Sequence, residues 1–195
     1  MNIVAISGSL RAASTNTALV RAAAALAPEG IDVAVYGGLA GLPHFSPELD
    51  GDAAPAPVQA LRALLAGADG VLVCTPEYAF GMPGSLKNAL DWLVTSGELW
   101  RKPVAALSAS PSARGGEKAH AALVLTLSAL EAATVAEASL LVPFVSTKVD
   151  KNSGNVTDPA TAQALRASLD ALARAVSAQR AETAAQDVPR IEIRG

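Results

Sequence analysis

The chain has 195 residues, 51% of them hydrophobic and 17% charged, with a formal net charge of −3 at pH 7. This length and composition predict one globular domain with a sizeable core and exclude a disordered chain, while the slightly acidic balance without a basic run argues against a nucleic-acid partner. One cysteine excludes an intramolecular disulfide and a cysteine metal cluster, and fits a reducing, cytoplasmic setting.

Apolar runs alternate with amphipathic stretches along the chain, which is the pattern of a parallel sheet covered by helices on both faces. The predicted strands are Asn2–Ser7, Ile31–Tyr36, Gly70–Cys74, Pro103–Ser108 and Thr134–Leu141. Helices are predicted to begin near Asn16, Pro55, Pro83 and Gly116, and a last helix follows the capping pair Asp158-Pro159. Residues 182–195 are polar or broken by proline, so we expect a flexible tail after a domain of residues 1–181.

The loop after the first predicted strand is the most informative segment, because residues 7–17 read Ser-Gly-Ser-Leu-Arg-Ala-Ala-Ser-Thr-Asn-Thr. Backbone N–H groups and hydroxyls at a helix N-terminus form a site for an anion, most simply a phosphate. The loop lacks the motifs of a Walker loop and of a dinucleotide fingerprint, so the terminal phosphate of FMN suits it better than ATP. The candidate contacts are Ser9, Arg11, Ser14, Asn16 and Thr17.

On this pattern alone, a strand, a loop and a capped helix without any ligand is an equal alternative, with Ser14 or Thr15 as the cap. A second segment, residues 75–92, follows the third predicted strand. It reads Thr-Pro-Glu-Tyr-Ala-Phe-Gly-Met-Pro-Gly-Ser-Leu-Lys-Asn-Ala-Leu-Asp-Trp. Two loops that each follow a parallel strand meet at the same edge of the sheet, so both segments are expected to border one site.

Together the two segments resemble the NADPH-dependent FMN reductase family of flavodoxin-like proteins. Members carry Gly-Ser-Leu-Arg…Ser…Asn after the first strand and Pro-Glu-Tyr…Pro-Gly…Leu-Lys-Asn-Ala…Asp-Trp after the third, and the resemblance extends to about residue 180. The element order predicts a flavodoxin-like three-layer α/β/α sandwich around a five-stranded parallel sheet in the order 2-1-3-4-5. Ligands of that fold bind where the order reverses, between strands one and three.

The resemblance implies phosphate or ribityl contacts for the five polar residues of the first loop and flavin-ring contacts for the second loop. The second-loop residues are Pro76, Glu77, Tyr78 and Ala79. Family members often have Asn at the position of Ala79, so backbone contacts are expected there. Glu77 is interpreted as a structural carboxylate or, alternatively, a proton-transfer group, and Tyr78 as a stacking group or a loop anchor. In the family the loop after strand four also lies beside the flavin, here Ser108, Ser110 and Gly115.

The predicted function is transfer of hydride from NADPH or NADH through FMN to a quinone, free flavin or a similar small acceptor. No catalytic side chain is assigned, because the hydride chemistry takes place on FMN. Two alternatives stay open: a flavodoxin-type electron carrier or FMN-binding protein without NAD(P)H activity, and a phosphate-ligand binding protein without flavin. Arg114 is a candidate partner for the nucleotide phosphate.

The family resemblance also implies a homodimer or homotetramer that uses the helix Pro83–Trp92, with Trp92 at the contact. Cys74 ends an apolar strand, so we expect a buried, inert thiol. His44 and His120 are far apart and lack ligand spacing, so no metal site is predicted. Charged residues and a proline interrupt the apolar stretch 121–145, which argues against a membrane span, and the N-terminal residues lack the basic segment of a signal peptide.

Overall fold

The computed structural model describes residues 1–51, 54–150 and 152–186. Strands and helices alternate along this part of the chain. In order they are β1 (Asn2–Ser7), α1 (Thr15–Ala25), β2 (Asp32–Tyr36), α2 (Ala56–Ala66), β3 (Gly70–Thr75), α3 (Gly84–Asp91), β4 (Pro103–Ala109), α4 (Glu117–Ala129), β5 (Ala133–Thr134), β6 (Leu140–Val142) and α5 (Pro159–Gln186). The first four predicted strands therefore lie within a residue of their expected bounds.

The strands form one parallel sheet in the order β2-β1-β3-β4-β5, with β6 also paired to β4. This confirms the predicted flavodoxin-like order and its reversal between β1 and β3. The single fifth strand expected at Thr134–Leu141 is wrong in detail, because β5 pairs with the start of β4 and β6 with its end. A 3₁₀ turn at Ala136–Ala138 separates them, and the Ser168 hydroxyl on α5 donates to the Ala138 carbonyl at 2.6 Å.

Alternate residues of the central strands belong to two apolar cores, one on each face of the sheet. Val4, Ile6, Val71 and Val73 face the core covered by α2, α3 and α4. The residues between them, such as Ile3 and Leu72, face the core covered by α1 and α5. Because β1, β3 and β4 are buried on both faces, they read as continuous apolar runs, and the three-layer sandwich follows from that pattern.

The last helix begins at the predicted cap. The Asp158 carboxylate accepts the Thr161 N–H at 2.9 Å and caps α5, which then continues to Gln186. Residues 182–186, assigned above to a tail, thus belong to a helix, and the rest of the predicted tail lies outside the described residues. No α-helix in the described part of the chain has both the length and the apolarity needed to cross a membrane.

Trp92, at the end of α3, is fully buried in the core. Its indole N–H donates to the Pro43 carbonyl at 2.9 Å, and its ring meets that of Phe45 edge to face with centroids 5.1 Å apart. The expectation that Trp92 contacts a second copy is therefore wrong, because the apolar face of α3 lies on the sheet. The outward face is polar, and Lys87 and Asp91 form the expected ion pair there at 2.5 Å.

Candidate active site

A cavity of about 350 Å³ opens at the carboxyl ends of β1, β3 and β4, where the strand order reverses. Its volume falls in the range of small-molecule sites. Eight of the twelve predicted site residues line it: Ser9, Arg11, Ser14, Asn16, Pro76, Glu77, Tyr78 and Ser110. The other four, which are Thr17, Ala79, Ser108 and Gly115, lie outside its lining.

The N-terminus of α1 presents unpaired backbone donors to this cavity. The Ser14 hydroxyl caps the helix by accepting the Thr17 N–H at 3.3 Å. Within the described residues, the N–H groups of Thr15 and Asn16 have no acceptor, as expected for a first helical turn. Both residues line the cavity. These donors and the positive end of the helix dipole make this end of the cavity attractive to an anion.

Asn16 connects the two strand ends below the cavity. Its side-chain amide donates to the Ala109 carbonyl at the end of β4, at 3.2 Å, and its side-chain oxygen accepts the Cys74 S–H of β3 at 3.1 Å. Asn16 is only 3% exposed, so it acts first as a structural bridge that fixes the cavity floor. The neighbouring Thr17 hydroxyl bonds to the Ser7 hydroxyl at 2.8 Å, which directs it into the protein rather than the cavity.

Cys74 and Gly8 have structural roles beside the first loop. Burial raises the pKa of the Cys74 thiol to about 12, which agrees with the expected buried, inert cysteine. The Gly8 N–H donates to the Cys74 carbonyl at 2.8 Å. A Cβ on Gly8 would lie 2.8 Å from a methyl carbon of Leu86, so this glycine permits close packing of α3 against the loop.

Glu77 anchors the loop after β3 to the start of α4. One of its carboxylate oxygens accepts the N–H groups of Lys118, at 2.9 Å, and Ala119, at 3.1 Å. The residue before α4 is Gly116, with φ +83°, and it offers no side chain to cap the helix. Glu77 supplies that cap from another loop, and its negative charge lies at the positive end of the α4 dipole. The interpretation of Glu77 as a structural carboxylate accounts for this geometry.

The two-residue turn after Tyr78 carries unusual backbone angles. Tyr78 and Gly81 exchange backbone hydrogen bonds of 2.9 and 3.0 Å, while Ala79 has φ +49° and Phe80 φ +62°. Two central residues with positive φ characterise a type I′ turn, for which Asn and Gly are the favoured residues. Tyr78 borders the cavity with its ring half-exposed, and Phe80 is 80% exposed beside it.

Two residues that lie outside the cavity lining, Ser108 and Gly115, fix the position of the loop after β4. The Ser108 hydroxyl donates to the Gly116 carbonyl at 3.0 Å, and Gly115, with φ +60°, packs against the backbone at Pro143. Ser110 reaches the cavity, and its hydroxyl accepts the Ser112 N–H at 3.2 Å. Small side chains in this wall leave room for a flat group close to the backbone.

Two residues of the cavity lining, Arg21 and Asp150, were not predicted from the sequence. Arg21 of α1 borders the cavity, and its spacing of seven residues from Ser14 could have revealed it. Asp150 borders it from a hairpin closed by the pair Val149 and Val156, for which the apolar pattern gives no signal. Arg114, the expected nucleotide-phosphate partner, lies outside the lining and pairs with the carboxylate of Glu117 at 2.8 Å.

A cavity that includes a helix N-terminus, at the reversal of a doubly wound parallel sheet, is typical of flavodoxin-like nucleotide-binding proteins. The family model for NADPH-dependent FMN reductase matches residues 1–147, and the chain belongs to that family. It is an oxidoreductase whose cofactors are FMN and NAD(P)H.

Relatives match over nearly the whole chain. A quinone reductase of Escherichia coli (strain K12) is 32% identical over 174 residues, which cover 88% of this chain and 93% of the relative. A 2-hydroxy-1,4-benzoquinone reductase of a Burkholderia species is 33% identical over 173 residues, covering 87% and 93%. The structure of FerB, a flavoenzyme NAD(P)H:(acceptor) oxidoreductase from Paracoccus denitrificans, is similar with a TM-score of 0.80 and 28% identity, covering 91% of this chain and 97% of FerB.

Proposed function

We propose that the protein holds FMN in the cavity at the carboxyl ends of β1, β3 and β4, and passes electrons from NADPH or NADH to a quinone or a similar small acceptor. The observation that carries this proposal is that one cavity joins the N-terminus of α1 to the loops after β3 and β4. A ligand with a phosphate at one end and a flat ring at the other matches these two environments.

The phosphate end of the cavity fits a monophosphate. The N–H groups of Thr15 and Asn16 lack acceptors within the described residues, and the hydroxyls of Ser9 and Ser14 border the same space. In the described part of the chain, the Arg11 side chain has no ion-pair or hydrogen-bond partner, so its guanidinium is available for an anion. Guanidinium and backbone donors together suit a phosphate dianion better than a neutral group.

The ring end of the cavity fits a planar group. Pro76 and Tyr78 line one side, and Ala109, Ser110 and Pro111 line the other, so flat or small side chains border the space. Glu77 fixes the first of these walls to α4, and Asn16 fixes the second to β3. Walls held in this way are preorganised to orient a ring, which lowers the entropy cost of binding it.

The chemistry that FMN supplies when bound is acceptance of hydride from a reduced nicotinamide and delivery of electrons to the acceptor. In this proposal the residues of the chain bind and orient the reactants, and no side chain has to act as acid or base. Leu10 is 56% exposed between two lining residues, and Phe80 is exposed beside Tyr78. Apolar side chains near the mouth suit a planar, weakly polar acceptor, and the two curated relatives named above are quinone reductases.

The test begins with FMN added to the purified protein, which is then desalted and titrated anaerobically with NADPH while the visible flavin band is followed. We expect the band to survive desalting, to bleach with NADPH and to return when benzoquinone is added. A retained band that NADPH and NADH leave unchanged would instead favour an electron carrier, and the absence of a retained band would refute a prosthetic FMN.

Variants of the first loop test whether it binds the phosphate of FMN. Arg11→Ala and Ser9→Ala should each lose FMN during desalting, because they remove a charged and a neutral donor at the phosphate end. Arg166→Ala is the matched control, because Arg166 is an exposed arginine of α5 outside the cavity lining. Unchanged retention in both loop variants would place the phosphate elsewhere.

We also propose that the protein is a cytoplasmic homodimer or homotetramer. The single cysteine supports a reducing compartment, since no internal disulfide can form. Val94, just beyond α3, is 59% exposed and Leu125 of α4 is 72% exposed, and a contact between copies would bury apolar side chains of this kind. Light scattering measures the assembly directly, and the mass of one chain would contradict the proposal.

A further inference from the structure

We infer that Arg21, on the second turn of α1, is a second binding cation for the ligand phosphate and acts together with Arg11 of the first loop. This inference rests on the proposed function, because it concerns the same cavity. It adds a residue that neither the sequence motif nor the family resemblance assigned, and it makes the phosphate end a site flanked by two guanidinium groups.

The helix geometry brings Arg21 to this end of the cavity. Ser14, Ala18 and Arg21 are spaced as i, i+4 and i+7, so they lie along one face of α1, and all three line the cavity. Side chains of a helix lean toward its N-terminus, which directs the long Arg21 side chain toward Ser14. The residue between them is the small, buried Ala18, which leaves the path along the helix open.

Arg21 has no competing partner in the part of the chain that the structure describes. No carboxylate there lies within ion-pair distance of Arg21, and its guanidinium donates no hydrogen bond to the protein. Some other exposed cations are engaged, such as Arg114 with Glu117 and Arg180 with Asp69. A planar guanidinium without a partner beside a cavity is suited to a phosphate, which accepts several hydrogen bonds at once.

The carboxylate of Asp150 gives Arg21 a further role. Asp150 lines the same cavity, and one of its oxygens accepts the N–H groups of Ser153, at 2.7 Å, and Asn152, at 3.1 Å. These hydrogen bonds, those from Ser153 first, lower the pKa of Asp150, so it is anionic at neutral pH. The other lining carboxylate, Glu77, is bonded to α4. A carboxylate in the cavity repels a phosphate, and Arg21 offsets that repulsion.

The experiment compares FMN with riboflavin, which lacks the phosphate, in titrations followed by flavin fluorescence without any nicotinamide nucleotide. Arg21→Gln should raise the Kd for FMN about five- to tenfold, as expected for loss of one charge-assisted contact, and change the Kd for riboflavin less than about twofold. The Kd of Arg21→Lys for FMN should lie between those of the unmodified protein and Arg21→Gln, because lysine keeps the charge but lacks the planar guanidinium group. Arg166→Gln, a matched change on α5, should bind both flavins like the unmodified protein.

The double variant Arg21→Gln/Asp150→Asn should recover part of the lost FMN affinity. Asn keeps the oxygen acceptor that the hairpin uses, while the repelling charge is removed. Absence of any recovery would refute the opposition between Arg21 and Asp150.

Two outcomes overturn the role of Arg21: FMN binding of Arg21→Gln equal to that of the unmodified protein, or equal weakening of FMN and riboflavin, which marks a structural effect. The ratio of the two Kd values within each variant corrects for any change in folding. If the unmodified protein itself fails to prefer FMN over riboflavin, the phosphate assignment of the proposed function fails as well. If the preference for FMN over riboflavin is lost in Arg11→Ala but kept in Arg21→Gln, the role of Arg21 is refuted while the proposed function stands.

Discussion

The loop after β1 and the loop after β3 border the same cavity but are held in different ways. The first loop, residues 8–17, is held by several hydrogen bonds, including the local Ser14 cap and the long-range bonds of the buried Asn16 side chain to β3 and β4. The second loop, residues 76–81, depends on one carboxylate, Glu77, and carries two exposed residues with positive φ. No residue of the first loop has a positive φ, whereas the turn with two such residues lies at the end of the cavity where we propose that the ring binds.

Among changes in the two loops, the largest loss of stability is expected at Asn16 in the first loop. Asn16→Ala removes the bridge between β3 and β4 and leaves the buried Ala109 carbonyl without its side-chain donor, so the free energy of unfolding should fall by about 2–3 kcal/mol. Urea denaturation measures the loss, provided that the dependence of the unfolding free energy on urea concentration is the same in the variant and the unmodified protein. Thr17→Val is the control, because it breaks only the bond to Ser7 and should cost about 1 kcal/mol. Equal losses in both variants would show that the two hydrogen bonds of the Asn16 bridge stabilise the protein no more than the single bond between Thr17 and Ser7 does.

A smaller effect is expected at the anchor of the second loop. Glu77→Ala should lower the free energy of unfolding by about 1–2 kcal/mol, because it removes the cap of α4. Glu77→Gln keeps an oxygen acceptor without the charge, and it should retain roughly half of that stability. Denaturation in the absence of flavin measures both variants. If neither variant is less stable, the contacts to Lys118 and Ala119 do not anchor the loop.

The smallest effect has the opposite sign and concerns the strained turn. Ala79→Asn should stabilise the protein by about 0.5 kcal/mol, because Asn tolerates positive φ and is favoured in type I′ turns. Ala79→Val is the matched control, since a β-branched residue is poorly tolerated there, and it should cost about 1 kcal/mol or more. Differential scanning calorimetry compares the three proteins. An Asn variant no more stable than the unmodified protein would contradict strain at this position.

The sequence predicted the fold well because the central strands are buried on both faces and so read as uninterrupted apolar runs. It failed at the fifth strand, because the run Thr134–Leu141 consists mostly of apolar or small residues and contains neither glycine nor proline. Such a run contains no sign of the turn that the packing of Ala138 under Ser168 imposes. It also failed at Trp92, because helical spacing identifies an apolar face of α3 without saying what covers that face.

Parts of the candidate site could be predicted for a similar reason. The loops after β1 and β3 follow neighbouring parallel strands, so their meeting follows from the strand order alone. Which hydroxyls face inward does not follow, and Thr17 and Ser108 are bonded within the protein instead. The hairpin that contributes Asp150 is far along the chain and has no apolar pattern, so only the folded structure brings it to the cavity.

The burial of Cys74 has a chemical consequence for a protein that handles quinones. Quinones are electrophiles that add to sulfur, and the reacting form of cysteine is the thiolate. Cys74 is the only cysteine of the chain, its side chain is fully buried, and its pKa is raised to about 12. The enzyme therefore presents no cysteine thiolate to a quinone, and Cys74 resists arylation in the folded protein. Intact-protein mass spectrometry after incubation with benzoquinone should find no adduct on Cys74 until the protein is unfolded.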